Sequence, residues 1–356
     1  MVTSRCGIAR TALLLSALSL FACDATEADE RHQAGLVPGN AKLADGIDLS
    51  IFPGRARTVD GAVVARAATP TPLLTLSGMA GEARFRLANV QPGSRLTPPP
   101  SSSQTLGPTT LELTYEVPEE GLRIQVEPPG TGPLRLAVVS DVHNNLATFG
   151  RFCEQVKAWR PQMVLCMGDL TRKGTREQFD EIFGHLSEVE VPFYTTIGNH
   201  ELMGEAAERF NEEIGPGSVA FDVGGVRIVL ADTAGAAFAP DAYDWLSRTL
   251  WPRGAGPALV FAHIPPLEPW GTRNHGFSNR DDALRFVQVL SQGRTTHFFA
   301  GHIHDWAQYS LGGVPAIISG GGGGELEAFG AGAHWLKLEV DPVSGTPVKA
   351  TRVGLD

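Results

Sequence analysis

The sequence predicts an α/β domain preceded by a small all-β domain. From residue 134 onward, short apolar runs typical of strands alternate with longer amphipathic stretches typical of helices. Between residues 46 and 130, by contrast, short β-like runs are separated by Pro and Gly without a helical stretch. The break Pro128-Pro129-Gly130-Thr131-Gly132 divides the two regions. A chain of 356 residues is long enough for both domains.

The N-terminal residues 1–22 have the features of a signal peptide. Arg5 and Arg10 precede an apolar run, Thr11 to Ala22, that is too short to span a bilayer well. The run ends in Leu20-Phe21-Ala22-Cys23, which resembles the lipobox of bacterial lipoproteins. This resemblance implies export, lipidation of Cys23 and attachment to a membrane of the bacterial cell envelope. Ordinary signal cleavage, with Cys23 incidental, is the alternative.

Residues 23–45 lack apolar periodicity and are interpreted as a tether. Residues 46–130 contain alternating runs such as Ala83 to Leu87 and Leu111 to Tyr115, which predict a small β-sandwich. None of the residues in this domain has catalytic spacing, so we expect the domain to be dispensable for chemistry.

The remaining residues, 133–356, form the predicted catalytic domain. Its elements, in order, are strand 134–140, helix 145–159, strand 163–167, helix 177–186, strand 193–197, helix 201–213, strands 219–223 and 226–231, helix 241–250, strand 258–262, helix 281–292, strand 296–300 and several closing strands. Repeated β-α-β alternation implies strands that are connected by crossover helices.

Composition and charge exclude some partners. The chain is 42% hydrophobic and 19% charged, which is ordinary for a globular protein. The formal net charge is −10, and it becomes −12 (27 basic minus 39 acidic residues) if a signal carrying two arginines is removed. Such a surface repels nucleic acid, so none is expected as a partner. Cys153 and Cys166 remain after processing, and the sequence leaves their pairing open.

Five predicted strands end in residues of metal-ligand type. The motifs are Asp141-Val142-His143, Gly168-Asp169, Gly198-Asn199-His200-Glu201, His263 and Gly301-His302-Ile303-His304. Ligands of open α/β sheets gather at the carboxyl ends of strands. Imidazole nitrogens with carboxylate and amide oxygens suit zinc, iron or manganese, and one carboxylate can bridge two such ions. The pattern therefore predicts a hydrolytic site with two metal ions.

This motif series resembles the calcineurin-like metallophosphoesterase family over about residues 134 to 340. The resemblance implies a four-layer α-β-β-α sandwich with two mixed sheets. It also implies a first metal held by Asp141, His143 and His304, a second held by Asn199, His263 and His302, and Asp169 bridging both. His200 would be the catalytic proton donor or charge stabiliser for the departing oxygen.

The implied function is metal-dependent hydrolysis of a small-molecule phosphate ester, either a monoester or a diester, by hydroxide generated between two ions. Leu170-Thr171-Arg172 follows Asp169 where purple acid phosphatases have a tyrosine, which does not support a ferric site. A non-catalytic cell-surface binding protein on an inactive scaffold is the alternative, although no ligand type is missing. Arg172 and the loop Arg273-Asn274-His275 have both a substrate-binding and a plain surface interpretation.

Overall fold

A computed structural model of the chain describes residues 26–130, 133–251, 256–271, 274–326, 330–343 and 348–355. The predicted signal peptide and Cys23 lie outside these residues. None of the helices within the described ranges is long and apolar enough to cross a membrane.

The segment interpreted as a tether is largely structured. Residues 26–35 form helix α1, and the first strand of the β-domain already begins at Gly39. Ala28 of α1 is buried in the core of the catalytic domain, and Arg31 forms an ion pair of 2.8 Å with Asp232. A short amphipathic helix of this kind is hard to recognise from sequence, because its only apolar contacts are tertiary.

The N-terminal domain is a β-sandwich of two five-stranded sheets, as predicted. One sheet has the strand order β1-β2-β5-β10-β7 and the other β3-β4-β6-β9-β8. Alternate residues of both sheets point inward and form a single apolar core, for example Leu49, Phe85 and Leu113. The strands are β1 Gly39–Lys42, β2 Ile47–Phe52, β3 Gly54–Val59, β4 Ala62–Ala67, β5 Leu73–Gly78, β6 Gly81–Ala88, β7 Arg95–Thr97, β8 Ser102–Gly107, β9 Thr110–Val117 and β10 Leu122–Glu127.

The catalytic domain follows the predicted order of elements. These are β11 Leu134–Val139, α2 Leu146–Trp159, β12 Met163–Cys166, α3 Arg176–Ser187, β13 Phe193–Thr195, α4 Ala206–Glu213, β14 Val219–Val223, β15 Val226–Ala231, α5 Tyr243–Leu250, β16 Ala258–Ala262, α6 Arg280–Gln292, β17 His297–Ala300, β18 Trp306–Leu311, β19 Val314–Ser319, β20 His334–Val340 and β21 Val348–Gly354. Short 3₁₀ turns occupy Asn199–Leu202 and Pro240–Ala242.

Two mixed sheets face each other between layers of helices. The first sheet has the order β13-β12-β11-β20-β21 and the second β14-β15-β16-β17-β19-β18. Strands β11, β12 and β13 run parallel, as do β15, β16, β17 and β19. One apolar core fills the space between the sheets, and two others lie under the outer helices. This is the expected four-layer α-β-β-α sandwich.

The helix predicted over 201–213 is split. Residues 199–202 form a 3₁₀ turn, and α4 begins only at Ala206. Gly204 between them has φ +59°, a left-handed conformation that ends a right-handed turn. The Glu201 side chain points into the protein toward neighbouring loops instead of lying on a helix surface.

Buried polar side chains take part in the contacts between the β-domain and the catalytic domain. Asn89 donates a hydrogen bond to the carbonyl of Phe193 and accepts one from its amide, both 2.8 Å. Phe193 lies in β13, the edge strand of the first catalytic sheet. Glu213, whose side chain is 2% exposed, is paired with Arg57 of the β-domain and with Arg176 of α3. Neither contact is evident from the sequence.

Candidate metal centre

All five motifs lie at the carboxyl ends of parallel strands and meet where the two catalytic sheets come together. Asp141 and His143 follow β11, Asp169 follows β12, and Asn199 follows β13, so the first sheet supplies four of the predicted ligands. The second sheet supplies the other three from the loops after β16 and β17, namely His263, His302 and His304.

Several ligand positions have unusual backbone conformations. Asp141, His143, Asp169 and His302 have φ between 51° and 65°, the left-handed region that few residues other than Gly adopt. Each such residue costs about 1–3 kcal/mol and persists only where surrounding contacts fix it. At four residues of one cluster, these conformations are typical of a functional site.

Asp141 is fully buried at the first group of ligands. The backbone amide of His302 donates to both of its carboxylate oxygens, each at 3.0 Å. Nε2 of His304 lies 3.4 Å from Asp141 Oδ1, and Nδ1 of the same ring contacts the carbonyl of Glu325 at 2.5 Å. The buried carboxylate and the imidazole are therefore held side by side by backbone contacts.

Asp169 lies between the two groups of ligands. Its Oδ2 is 3.2 Å from Nε2 of His143 and 3.3 Å from Nε2 of His263. Its Oδ1 accepts a hydrogen bond of 2.9 Å from the backbone amide of His200. One carboxylate thus contacts a member of each predicted ligand set.

Asn199, His263 and His302 form the second group. Oδ1 of Asn199 is 2.8 Å from Nε2 of His263 and 2.9 Å from Nδ1 of His302. The loop that carries His263 is fixed by Thr233, whose hydroxyl accepts the amides of His263 and Ile264 and donates to the carbonyl of Ile264. Sequence reasoning missed Thr233, since a single hydroxyl in a loop has no recognisable pattern.

Glu201 has a supporting role that the sequence did not reveal. It is fully buried, and it accepts hydrogen bonds from the amides of Asp169, Gly198 and Thr171 and from the Thr171 hydroxyl, at 2.7–3.0 Å. Burial and the charge of Asp169 raise the pKa of Glu201 to about 7, against the hydrogen bonds that favour its ionised form. One side chain therefore connects the loops after β12 and β13.

Close backbone approach explains the glycines of the site. A Cβ at Gly198 would lie 2.1 Å from Oδ1 of Asp169, so no side chain fits there. In the run Gly320 to Gly324, a Cβ at Gly322 would lie 2.2 Å from the carbonyl of Ser140, to which the Gly322 amide donates. The run packs directly against the first ligand loop.

The arrangement of hydrogen-bond acceptors fits bound cations. Nδ1 of His263 donates to the carbonyl of Met167 at 2.8 Å, so a neutral ring has a lone pair at Nε2. That lone pair faces the carboxylate of Asp169 at 3.3 Å. His304 repeats the pattern toward Asp141. Two acceptors face each other stably only with a proton or a cation between them, and these nitrogen and oxygen donors are those that zinc, manganese and iron accept.

The electrostatics of the cluster agree with this interpretation. Burial lowers the pKa of His263, but the charges of Asp169 and Asp141 outweigh it and raise the value to about 9. Burial also lowers the pKa of His304, but the hydrogen bond and charge of Asp141 outweigh it and raise the value to about 9. By contrast, burial and the neighbouring His263 lower the pKa of His302 to about 4. The two carboxylates thus attract positive charge to this site.

His200 lies beside the first group. Its ring centroid is 4.2 Å from that of His143, and its Nε2 is 4.0 Å from Asp169 Oδ2. The carbonyl of Arg172 contacts its Nδ1 at 2.8 Å and orients the ring. His143, Asp169 and His200 could also hold an ion by distance alone, so position leaves both a ligand and a proton-donor role possible.

Of the other residues considered from the sequence, some lie near the site and others do not. His275 lies near the site, with its ring centroid 5.6 Å from that of His302, and Asn274 lines the same cleft. Arg273 lies outside the described residues. Trp306 packs edge-on against His334. Cys153 and Cys166 are buried free thiols.

Residues 134–306 match the model of the calcineurin-like phosphoesterase family. A probable cyclic nucleotide phosphodiesterase of Synechococcus sp. is 24% identical over 207 residues, covering 55% of this chain and 77% of the relative. A 3′,5′-cyclic-nucleotide phosphodiesterase of Nostoc sp. is 22% identical over 194 residues, covering 48% and 72%.

Among solved structures, a purple acid phosphatase from yellow lupin (Lupinus luteus) seeds matches with a TM-score of 0.54 and 12% identity, covering 85% of this chain and 74% of that one. This likeness concerns the fold alone. The family match spans all five strand-end motifs, from Asp141 to His304, and these motifs meet in one cluster. Residues 134–306, just under half of this chain, therefore match the calcineurin-like phosphoesterase family.

Proposed function

We propose that the protein is a metal-dependent phosphodiesterase with two ions. The proposed first-ion ligands are Asp141, His143 and His304, the second-ion ligands are Asn199, His263 and His302, and Asp169 contacts both. Zinc, manganese and iron all suit this donor set.

The observation that carries this proposal is the position of Asp169. Its Oδ2 lies 3.2 Å from His143 and 3.3 Å from His263, which belong to different ligand sets. A site for one ion has no need of a shared carboxylate with imidazoles on both sides. Asp169 is fixed there by its left-handed φ and by two hydrogen bonds. Its amide donates to Glu201, and its Oδ1 accepts from the amide of His200.

Bound ions would supply Lewis acidity toward a phosphoryl oxygen and acidify a water near neutral pH. The protein's own residues would orient the metal ligands and protonate the departing oxygen. The backbone contacts of Asp141, His263 and His304 hold the ligand side chains in place before substrate arrives. His200, fixed by the Arg172 carbonyl, is positioned to give a proton to the departing oxygen.

Two observations favour a diester over a monoester. Both curated relatives named above are phosphodiesterases by name. In addition, a cleft of about 480 Å³ adjoins the site next to His302, with room for an organic group.

The proposal is tested by metal analysis and turnover of the purified protein. We expect two ions per chain and faster hydrolysis of bis(4-nitrophenyl) phosphate than of 4-nitrophenyl phosphate, with zinc, manganese or iron added in turn. Dialysis against a chelator should abolish turnover, and the ion should restore it. A protein that retains both ions but hydrolyses neither ester would instead support a binding role on an inactive scaffold.

A further inference from the structure

The cleft beside His302 has two walls that are fixed to each other. One wall is the loop after β15, and the other is the segment that leads into α6. The backbone amide of Ser278 donates to the carbonyl of Ala236 at 2.8 Å and joins the two walls. Asp232 supports the first wall, since its Oδ1 accepts the amide of Ala234 while its carboxylate pairs with Arg31 of α1. The cleft is therefore a built feature and not a gap between loose loops.

The lining is apolar below and polar at the mouth. Ile264 and Phe277, which are 4% and 8% exposed, form the apolar part. Asn274 and His275 are exposed at the mouth. Among the lining residues that the structure describes, none is Asp, Glu, Lys or Arg. Such a surface favours an uncharged group with a large apolar face and a few hydrogen-bonding atoms.

The size of the cleft indicates the size of that group. Its volume of about 480 Å³ is several times the ~150 Å³ cavity that accommodates benzene. A methyl group would leave most of it filled with water. A ring with a sugar attached, as in a nucleoside, would fill much more of it.

His200 and His275 of the cleft contact histidines of different ligand sets. The ring of His200 lies tilted beside that of His143 of the first ligand set, whereas His275 meets His302 of the second set edge to face. If His200 protonates the departing oxygen, the departing group lies on the His143 side. The group on the other side is then the one that stays attached to phosphorus.

From this arrangement we propose that the cleft formed by Asn199, Ala236, Ile264, His275, Phe277 and His302 binds the retained ester group of the substrate, and that this group is of nucleoside size and uncharged. The inference rests on the proposed phosphodiesterase function and narrows it. His275 contributes an aromatic face at the mouth, and the substrate's single phosphate charge remains at the metal centre.

The test uses two esters that release the same leaving group. Thymidine 5′-(4-nitrophenyl phosphate) and methyl 4-nitrophenyl phosphate both give 4-nitrophenolate, but they retain a nucleoside or a methyl group. In a fitted apolar pocket, even one methylene changes selectivity by about 10–200-fold. We expect the metal-loaded protein to prefer the thymidine ester by about tenfold or more in kcat/KM.

Two variants should remove this preference. Ser278→Phe narrows the exposed rim, and His275→Ala removes the aromatic face. Both should raise KM for the thymidine ester by about tenfold while the methyl ester changes by less than about twofold. Ser291→Phe is the matched control, because Ser291 is exposed at the far end of α6. Calorimetry should show that both variants bind thymidine 5′-phosphate about tenfold more weakly, and that their affinity for methyl phosphate is unchanged.

The results distinguish failure of the cleft assignment from failure of the phosphodiesterase function. Equal kcat/KM for both esters in the unchanged protein, or equal losses on both in the variants, would overturn the retained-group assignment and leave the phosphodiesterase function standing. Hydrolysis of neither ester by protein loaded with two ions would overturn the function itself.

Discussion

Asn89 and Phe193 exchange two hydrogen bonds of 2.8 Å, as residues on paired strands do, although Asn89 uses its side-chain amide. Phe193 lies in an edge strand, and an edge strand exposes unpaired amides and carbonyls that favour aggregation. The β-domain therefore covers this edge, a role that its lack of catalytic residues had hidden.

We predict that a chain starting at Pro133 aggregates or unfolds at a lower temperature. It would expose β13 and would leave the buried Glu213 without Arg57. Asn89→Ala in the full chain should have a milder effect, about 1–3 kcal/mol, since it leaves buried backbone groups unpaired. Thermal unfolding and light scattering measure both, and Asn40→Ala, in an exposed part of β1, is the control. A truncated chain that remains monomeric and active would instead support the expectation from sequence that the domain is dispensable for chemistry.

Asp169→Asn should be the most damaging ligand substitution. The amide keeps the shape of the side chain but removes the charge that both ligand sets share. Even outer partners of metal ligands are worth about 10–100-fold, so we expect turnover to fall at least about 100-fold together with metal content. Asp222→Asn, on an exposed hairpin, is the control. Two ions and near-normal turnover in Asp169→Asn would contradict the bridging assignment.

His200→Ala should keep both ions and slow the reaction according to the leaving group. General acid catalysis is worth about 10²–10⁴-fold, and it matters most when the departing oxygen is basic. We therefore expect a large loss on an alkyl ester and a small loss on a nitrophenyl ester. Rates on the two esters, with metal analysis in parallel, distinguish a proton donor from a metal ligand. Loss of one ion, or equal loss on both esters, would make His200 a ligand or an orienting residue.

The metal-free protein should lose stability as pH rises from about 6.5 to about 9. Folding raises the pKa of His263 and His304 to about 9, so their protonated forms stabilise the folded state. This contribution is complete below the ordinary value of 6.5 and disappears as pH passes through 9. The unfolding temperature should fall by a few degrees in this range. Bound ions replace the protons, so the loaded protein should show a smaller change. An equal fall in both forms would show that other groups cause it.

Lipidation of Cys23 is predicted from the sequence alone, because the residue lies outside the described ranges. Mass analysis of the mature N-terminus should find a diacylglyceryl cysteine, and Cys23→Ser should release the protein from membranes. An unmodified N-terminus near this position in a fully soluble product would contradict the prediction.

The sequence predicted the order of helices and strands along the catalytic domain and every strand-end motif, because buried strands and Gly-flanked ligands leave regular patterns. It did not predict what holds those motifs in place. Glu201 and Thr233 act by hydrogen bonds to loop backbones, and Asn89 acts across a domain boundary. Such contacts depend on residues distant in the chain, and neither periodicity nor composition records them.

Helix α1 limits how the molecule could sit on a membrane. From Cys23 to residue 26, where the described helix begins, a chain reaches at most about 10 Å. The helix itself is fixed by the burial of Ala28 and by the Arg31–Asp232 ion pair. If Cys23 is lipidated, the short connection to α1 would keep the side of the catalytic domain that carries α1 close to the lipid headgroups.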